Sequence, residues 1–227
     1  VSMTVPKRMK FGVFMAPFHR VGENPTLALE RDLELLQWLD TLGFDEAYIG
    51  EHHSAGWETI ASPELFMATA AERTRHIRLG TGVTSLPYHH PFMVANRMVQ
   101  LDHMTHGRVM LGVGVGVIDE ELVAMGSPFA ERGAITDETI AIMKELWTKE
   151  DPSFQGKYHS FSGMKFTPKP VQKPHIPIIV GGTSKAAIRR AAQTGTVWHP
   201  TALAPDILAQ GMEYLKEQAV TAGRDPS

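Results

Sequence analysis

The sequence predicts an α/β fold, a TIM-type (β/α)8 barrel short by about two βα units at its C-terminal end. Three observations carry this. Short apolar, β-prone runs alternate with amphipathic helical ones, which implies parallel strands joined by right-handed crossovers. Polar residues and glycines gather where the strand runs end, which favours a barrel over an open sheet. No GxGxxG opens a helix after the first strand, so the dinucleotide-binding open sheet lacks its main signature. Six βα units can be counted along the chain, whereas a closed barrel of this kind needs eight. Residues 1–227 are expected to form a single domain, with an irregular excursion near 117–134 and an extended arm near 157–173.

The first strand is expected over Phe11 to Ala16. Leu27 to Leu42 follows with helical spacing, and Gly43 sits where a helix C-cap glycine belongs. Glu46 to Gly50 is a short apolar run that reads as a buried parallel strand. Pro63, near a first turn, opens a helix over Glu64 to Arg73. Ile77 to Val83 is the third strand and Phe92 to Met104 the next helix, ended by Thr105, His106 and Gly107. Val109 to Val113 is the fourth strand. The rhythm then breaks over Val117 to Ala134, and Thr136 to Trp147 is helical with Thr136 as its N-cap. Lys157 to Lys173, rich in proline, lysine and aromatics, predicts a short hairpin or extended arm outside the core. Ile176 to Gly182 is the fifth strand, Ser184 to Gln193 its helix, Val197 to Pro200 the sixth strand and Pro205 to Ala222 a long final helix.

Composition narrows the function classes. A length of 227 residues suits one α/β domain with a substantial core. The formal charge of −3, without long runs of either sign, provides no electrostatic footprint for nucleic acid or an anionic membrane. The lack of cysteine excludes disulfides, thiolate metal sites and a cysteine nucleophile together. No apolar stretch approaches the ~20 residues that span a bilayer. Val1 to Lys10 lacks the apolar core of a signal peptide, so a cytoplasmic location is expected.

Four strand ends carry candidate chemistry. Glu51, His52 and His53 arrive directly off the second strand, followed by the small-residue turn Ser54, Ala55, Gly56. Burying a carboxylate and two imidazoles costs free energy unless each meets a partner or ligand. The run therefore reads as a catalytic site rather than a strand cap. After the third strand, the glycines around Gly82, Val83 and Thr84 permit close approach to a flat ligand, and Tyr88, His89 and His90 offer stacking and proton transfer. A tight loop with surface histidines explains that last pair equally well. Gly112, Gly114 and Gly116 alternate with valines, but no Lys-Ser or Lys-Thr follows, so a phosphate loop is not indicated. Small residues there would leave room for a planar cofactor. Gly181, Gly182, Thr183 and Ser184 run into a helix and form an anion site, with phosphate the natural occupant and Arg132 its distant counter-charge. A plain capped turn is the alternative. No HExxH-type pair exists, and adjacent His52 and His53 would face opposite ways on a continuing strand, so no metal is expected.

The runs Met9 to Phe14, Leu42 to His53, Ile77 to Val83, Leu86 to Pro91, Leu101 to Arg108 and Gly112 to Gly114 together resemble the bacterial luciferase-like flavin-dependent monooxygenase family, most closely its limonene-monooxygenase branch. Glu131 to Glu138, Lys169 to Pro174, Gly181 to Ala187 and Val197 to Pro200 look more like the deazaflavin F420-dependent branch, so the chain reads like a junction of the two. The resemblance implies a monooxygenase that uses reduced FMN and O2 on a small apolar organic substrate. An F420-dependent hydride-transfer oxidoreductase is the alternative, and a non-catalytic flavin-binding or incomplete barrel a third. The resemblance further implies that flavin lies across the strand ends, its phosphate held by Gly182, Thr183, Ser184 and Arg132. His52 would act as acid or base, with His53 and Glu51 orienting it or shaping the substrate side. A non-proline cis peptide at Gly82–Val83, a separate flavin reductase and a homodimer formed through the two helices 64–73 and 92–104 are also implied.

Overall fold

The computed structural model describes residues 8–16, 18–54 and 56–226. Most of the leader reading falls on residues 1–7, and Ala55 of the expected turn is likewise outside the described residues. In chain order the elements are β1 (Gly12–Met15), α1 (Pro25–Thr41), β2 (Glu46–Ile49), α2 (Pro63–Arg73), β3 (Arg78–Thr81), β4 (Thr84–Ser85), α3 (Pro91–Met104), β5 (Val109–Gly114), α4 (Asp119–Ala124), α5 (Arg132–Thr148), β6 (Phe154–Gln155), β7 (Ser160–Phe161), β8 (Ile178–Gly181), α6 (Lys185–Thr194), β9 (Val197–His199) and α7 (Pro205–Thr221). Single 3-10 turns cover Leu86–Tyr88 and Phe129–Glu131.

The main sheet runs β1-β2-β3-β5-β8-β9 with β4 beside β5, and every pair in it is parallel. This is the expected six-unit rhythm. The sheet is curled: the His199 ring on β9 lies 4.9 Å from the Tyr48 ring on β2 and 6.1 Å from that of Phe14 on β1. Strands at opposite ends of the path thus meet through side chains inside the curl, a half-barrel with helices packed outside. No described helix is long and apolar enough to cross a membrane.

Local chemistry explains most boundaries. Asn24 caps α1 by accepting from the backbone of Thr26 and Leu27, with Pro25 preorganising the first turn. Gly43 takes φ +79° just past the helix end, as expected of a C-cap glycine. The Asp40 carboxylate accepts from the N–H groups of Arg75, His76 and Ile77, which ties the end of α1 to the approach to β3. Trp147 of α5 is buried and donates to the Ala95 carbonyl of α3. Arg190 of α6 pairs with Asp137 and donates to the Gly133 carbonyl, both on α5.

Three expectations need correction. Thr136 does not cap α5: the helix begins four residues earlier, and the buried Thr136 hydroxyl donates back to the Arg132 carbonyl. The excursion after Val117 is not wholly irregular, because Asp119–Ala124 forms α4, which carries three acidic residues in its first turn. The arm does contain a hairpin, β6 with β7, but it begins earlier than 157 and is not confined to the outside. Phe166 is buried and packs edge-on against Phe92, so the arm contributes to the core.

Candidate functional site

The strand carboxyl ends open onto one cleft of about 260 Å³. Phe14 reaches it from β1, Glu51 and His52 from the end of β2, and Gly82 from just past β3. Gly114 comes from β5, Gly181 from β8 and His199 from β9. Each strand of the main path therefore contributes at or near its carboxyl end, where barrels place their chemistry.

Part of the wall is backbone. A Cβ on Gly114 or Gly181 would stand 2.5 Å or 2.7 Å from Val83, and one on Gly82 would stand 2.9 Å from Tyr48. These positions accept no side chain without displacing Val83 or Tyr48, and all three glycines line the cleft. The Gly82–Val83 bond is cis, as the resemblance implied.

The polar wall comes from the loop between β2 and α2, the turn after β4, and α4. Glu51 has a fully buried side chain; it accepts from the Ser85 N–H at 2.8 Å, His53 Nε2 at 2.8 Å and His89 Nε2 at 2.6 Å. Burial opposes ionisation of Glu51, but these donors outweigh it and hold the carboxyl below its ordinary range. The hydrogen bond to Glu51 in turn holds the His53 imidazole above its ordinary range. Glu121 of α4 accepts from the N–H groups of His53 and Ser54, the Ser54 hydroxyl and the Tyr88 hydroxyl. Burial is again outweighed by donors, and the Glu121 carboxyl sits low while the Tyr88 phenol is pushed up by burial and by Glu121. Burial pushes the His199 imidazole down, which favours its neutral form beside Phe14 and Tyr48.

His52 and His53 part company here. His52 lines the cleft and its Nδ1 meets Glu58 at 2.9 Å, whereas His53 turns to Glu51. Glu51, His53 and His89 are the three groups close enough to serve as a ligand set among the described residues. Both imidazoles lie at hydrogen-bonding distance from one Glu51 oxygen.

Of the expected cofactor contacts, Gly82, Val83, Gly114, Gly181 and Gly182 line the cleft. Thr84, the residue after Val83, is buried away from it, in a small recess with His89, Glu64 and Arg97. Gly112 lies behind the wall, where its missing Cβ makes way for the Thr81 backbone. Thr183 is exposed at the start of α6, and Ser184 caps that helix by accepting from the Ala187 N–H at 3.2 Å. Arg132 stacks over the Phe129 ring at 3.6 Å and donates to the Phe129 carbonyl, so its nearest partners are its own neighbours. Sequence reasoning passed over Glu58 and Glu121. Neither belongs to a motif; each becomes legible only when loops distant in sequence meet.

Residues 9–227 match the family model for luciferase-like monooxygenases. The chain is 58% identical over 146 residues to 4-hydroxyprotoasukamycin monooxygenase of Streptomyces nodosus subsp. asukaensis, covering 64% of this chain and 39% of that protein. It is 53% identical over 119 residues to limonene 1,2-monooxygenase of Rhodococcus erythropolis, covering 52% of this chain and 31% of that one. Among solved structures, the oxygenating constituent of 3,6-diketocamphane monooxygenase from Pseudomonas putida, in complex with FMN, superposes with TM-score 0.85 at 25% identity, over 96% of this chain and 64% of the other. An F420-dependent secondary alcohol dehydrogenase superposes with TM-score 0.80 at 25% identity, over 96% and 66% respectively. The chain thus matches well under half the length of those two curated relatives. The chain belongs to the luciferase-like monooxygenase family.

Proposed function

We propose that the cleft binds FMN and that the protein is a monooxygenase acting on a small apolar organic substrate, with reduced flavin supplied by a separate reductase. The observation that carries this reading is His52 standing in a cleft walled by the backbone of Gly82, Gly114 and Gly181. A backbone-lined wall suits a flat isoalloxazine, and an imidazole beside it suits proton transfer. When bound, reduced FMN supplies two electrons to O2, so that one oxygen atom enters the substrate and the other leaves as water.

The protein's share is positioning and proton management. Gly181 and Gly182 carry the cleft to the N-terminus of α6, whose amides and exposed Thr183 suit a phosphate. Glu121, itself in the cleft wall, accepts from the N–H groups of His53 and Ser54 and so fixes the loop that carries His52. Val83 and Phe14 supply apolar surface. The oxygenating constituent named among the solved structures supports a separate reductase for this chain. The F420-dependent reading draws support from the motifs of the second half and from the dehydrogenase that superposes.

Fluorescence titration decides between them: FMN is expected to bind and F420 to bind at least tenfold more weakly. The double variant Thr183→Ala with Ser184→Ala should weaken FMN binding by about tenfold or more, since charge-assisted hydrogen bonds contribute ~1.5–3 kcal/mol. Tighter F420 binding reverses the cofactor assignment, and unchanged FMN affinity in the double variant removes the phosphate site. Oxygen transfer is then read as isotopically labelled oxygen in limonene, used as a probe acceptor, with chemically reduced FMN.

We also propose association as a two-fold homodimer through α2 and α3, which expose Leu65, Met93 and Met104. Sedimentation is expected to give twice the 25.1 kDa chain mass. A mass equal to one chain at every concentration counts against it.

A further inference from the structure

We propose that a second cavity, walled by α3, α5 and the arm that carries β6 and β7, binds a neutral, mainly apolar small molecule independently of the cleft.

The cavity measures about 640 Å³, against about 260 Å³ for the cleft, and the two share no lining residue. Small-molecule pockets typically measure ~300–1,000 Å³, so the space has the size of a ligand site. Phe92 and Met93 enter it from the first turn of α3, buried Ile142 from α5, Phe161 from β7 and Met164 from the arm beyond. Met93 and Met164 are partly exposed, and flexible thioethers adapt to an occupant. No lysine, arginine, aspartate or glutamate stands among the described residues that line the cavity. A charged occupant would lose hydration there without meeting a counter-charge, whereas a neutral apolar one gains by burial.

The walls are fastened to one another. Glu138 of α5 accepts from the N–H groups of Lys157, Tyr158 and His159 at 2.7, 3.0 and 2.7 Å, and from His159 Nδ1 at 3.2 Å. The turn between β6 and β7 is thereby pinned to the helix. Further along, the buried Phe166 ring packs edge-on against Phe92 with 5.6 Å between centroids. The arm is thus held before Phe161 and after Met164, two of the side chains it lends to the cavity.

His90 sets the polarity of the ligand. Its neighbour His89 turns to Glu51, whereas His90 lines this cavity. The Phe92 N–H donates to His90 Nδ1 at 3.2 Å where His90 caps α3, so in the neutral ring the proton sits on Nε2. Burial and the nearby His159 favour that neutral form. Any hydrogen bond from the ring to an occupant is then donated by Nε2 and calls for an acceptor, such as a carbonyl or ether oxygen.

The test needs no turnover. Camphor, a rigid neutral ketone, is titrated into the full chain carrying isotope-labelled methionine methyls. Camphorsulfonate, the same frame with a fixed negative charge, is titrated beside it. Camphor should shift the Met93 and Met164 methyl resonances saturably, with the sulfonate weaker by roughly tenfold or more. FMN should leave these two shifts in place, which separates the result from the flavin reading. His90→Ser keeps a helix-capping oxygen and removes the ring donor, so camphor affinity should fall roughly 3- to 10-fold. Ser160→Trp, at an exposed position on the cavity wall, should abolish both shifts by filling the space. Met93 also lies on the face proposed for pairing, so the sedimentation mass of Ser160→Trp is measured as well. Met93 and Met164 unmoved by camphor, equal affinity for the sulfonate, displacement by FMN, or unchanged affinity in both variants overturns the proposal. A fall in mass with Ser160→Trp also overturns it, because the cavity would then belong to a contact between two copies of the chain.

Discussion

Replacing His52 by asparagine is expected to lower oxygen transfer by about 10²–10⁴-fold, the usual contribution of a general acid or base, while FMN affinity and melting temperature stay near those of the parent. The asparagine amide nitrogen occupies roughly the place of Nδ1 and can still donate to Glu58, so the buried carboxylate keeps its partner. What the substitution removes is the imidazole from the cleft wall. Because His52 is partly exposed, its loss opens no core cavity. Calorimetry and FMN titration check the two invariants, and labelled-oxygen incorporation checks the loss. His53→Asn supplies the contrast, since it withdraws a donor from buried Glu51 and should act on stability first. A folded but inactive His53→Asn beside an unfolded His52→Asn would mean that the two roles are exchanged. If neither substitution changes oxygen transfer, the cluster is a strand cap and the chemistry lies elsewhere.

The two histidines also mark how far the sequence carried the reading. The parallel strands were legible because each is a short apolar run framed by Gly, Pro or a cap, and β2 and β5 fall within one residue of the expected bounds. The strand-end placement of Glu51 to His53 was legible for the same reason. The resemblance implied different roles for the two histidines, but the partner each meets was not legible: it depends on how the chain turns after Gly50, where Glu121 from α4 and the bridge between Phe18 and Glu58 hold the loop. Those partners lie 68 residues and 40 residues away from the groups they fix. No local pattern announces them. Thr136 failed for a different reason, since a threonine hydroxyl bonds a carbonyl four residues back inside a helix as readily as it caps one.

Gly112 shows the same limit and supplies the largest expected effect on stability. Read in sequence, the alternating glycines of β5 looked like room for a cofactor. In the fold only Gly114 of the β5 pair faces the cleft. A Cβ at Gly112 would fall inside any van der Waals contact with the Thr81 carbonyl oxygen and 2.9 Å from its carbon. Thr81 ends β3, and its hydroxyl donates to the Gly112 carbonyl at 2.7 Å, so the two chains are locked at their closest approach. The obstacle is backbone on a central strand rather than the tip of a flexible side chain, so a methyl group can enter only by moving β3 away from β5. Gly112→Ala is therefore expected at or beyond the upper end of the ~1–3 kcal/mol usual for overpacking, a large share of the ~5–15 kcal/mol that holds a domain together. The same displacement would carry Gly82 and Val83 with it, so FMN affinity should fall in parallel. Gly133→Ala is the control, because that site is helical and its nearest non-local atom lies 3.6 Å from the added carbon. Urea unfolding of the three proteins decides the matter: a Gly112→Ala midpoint equal to that of the parent would show that β3 and β5 are free to separate, and the cleft wall built on their contact would then lose its rigidity.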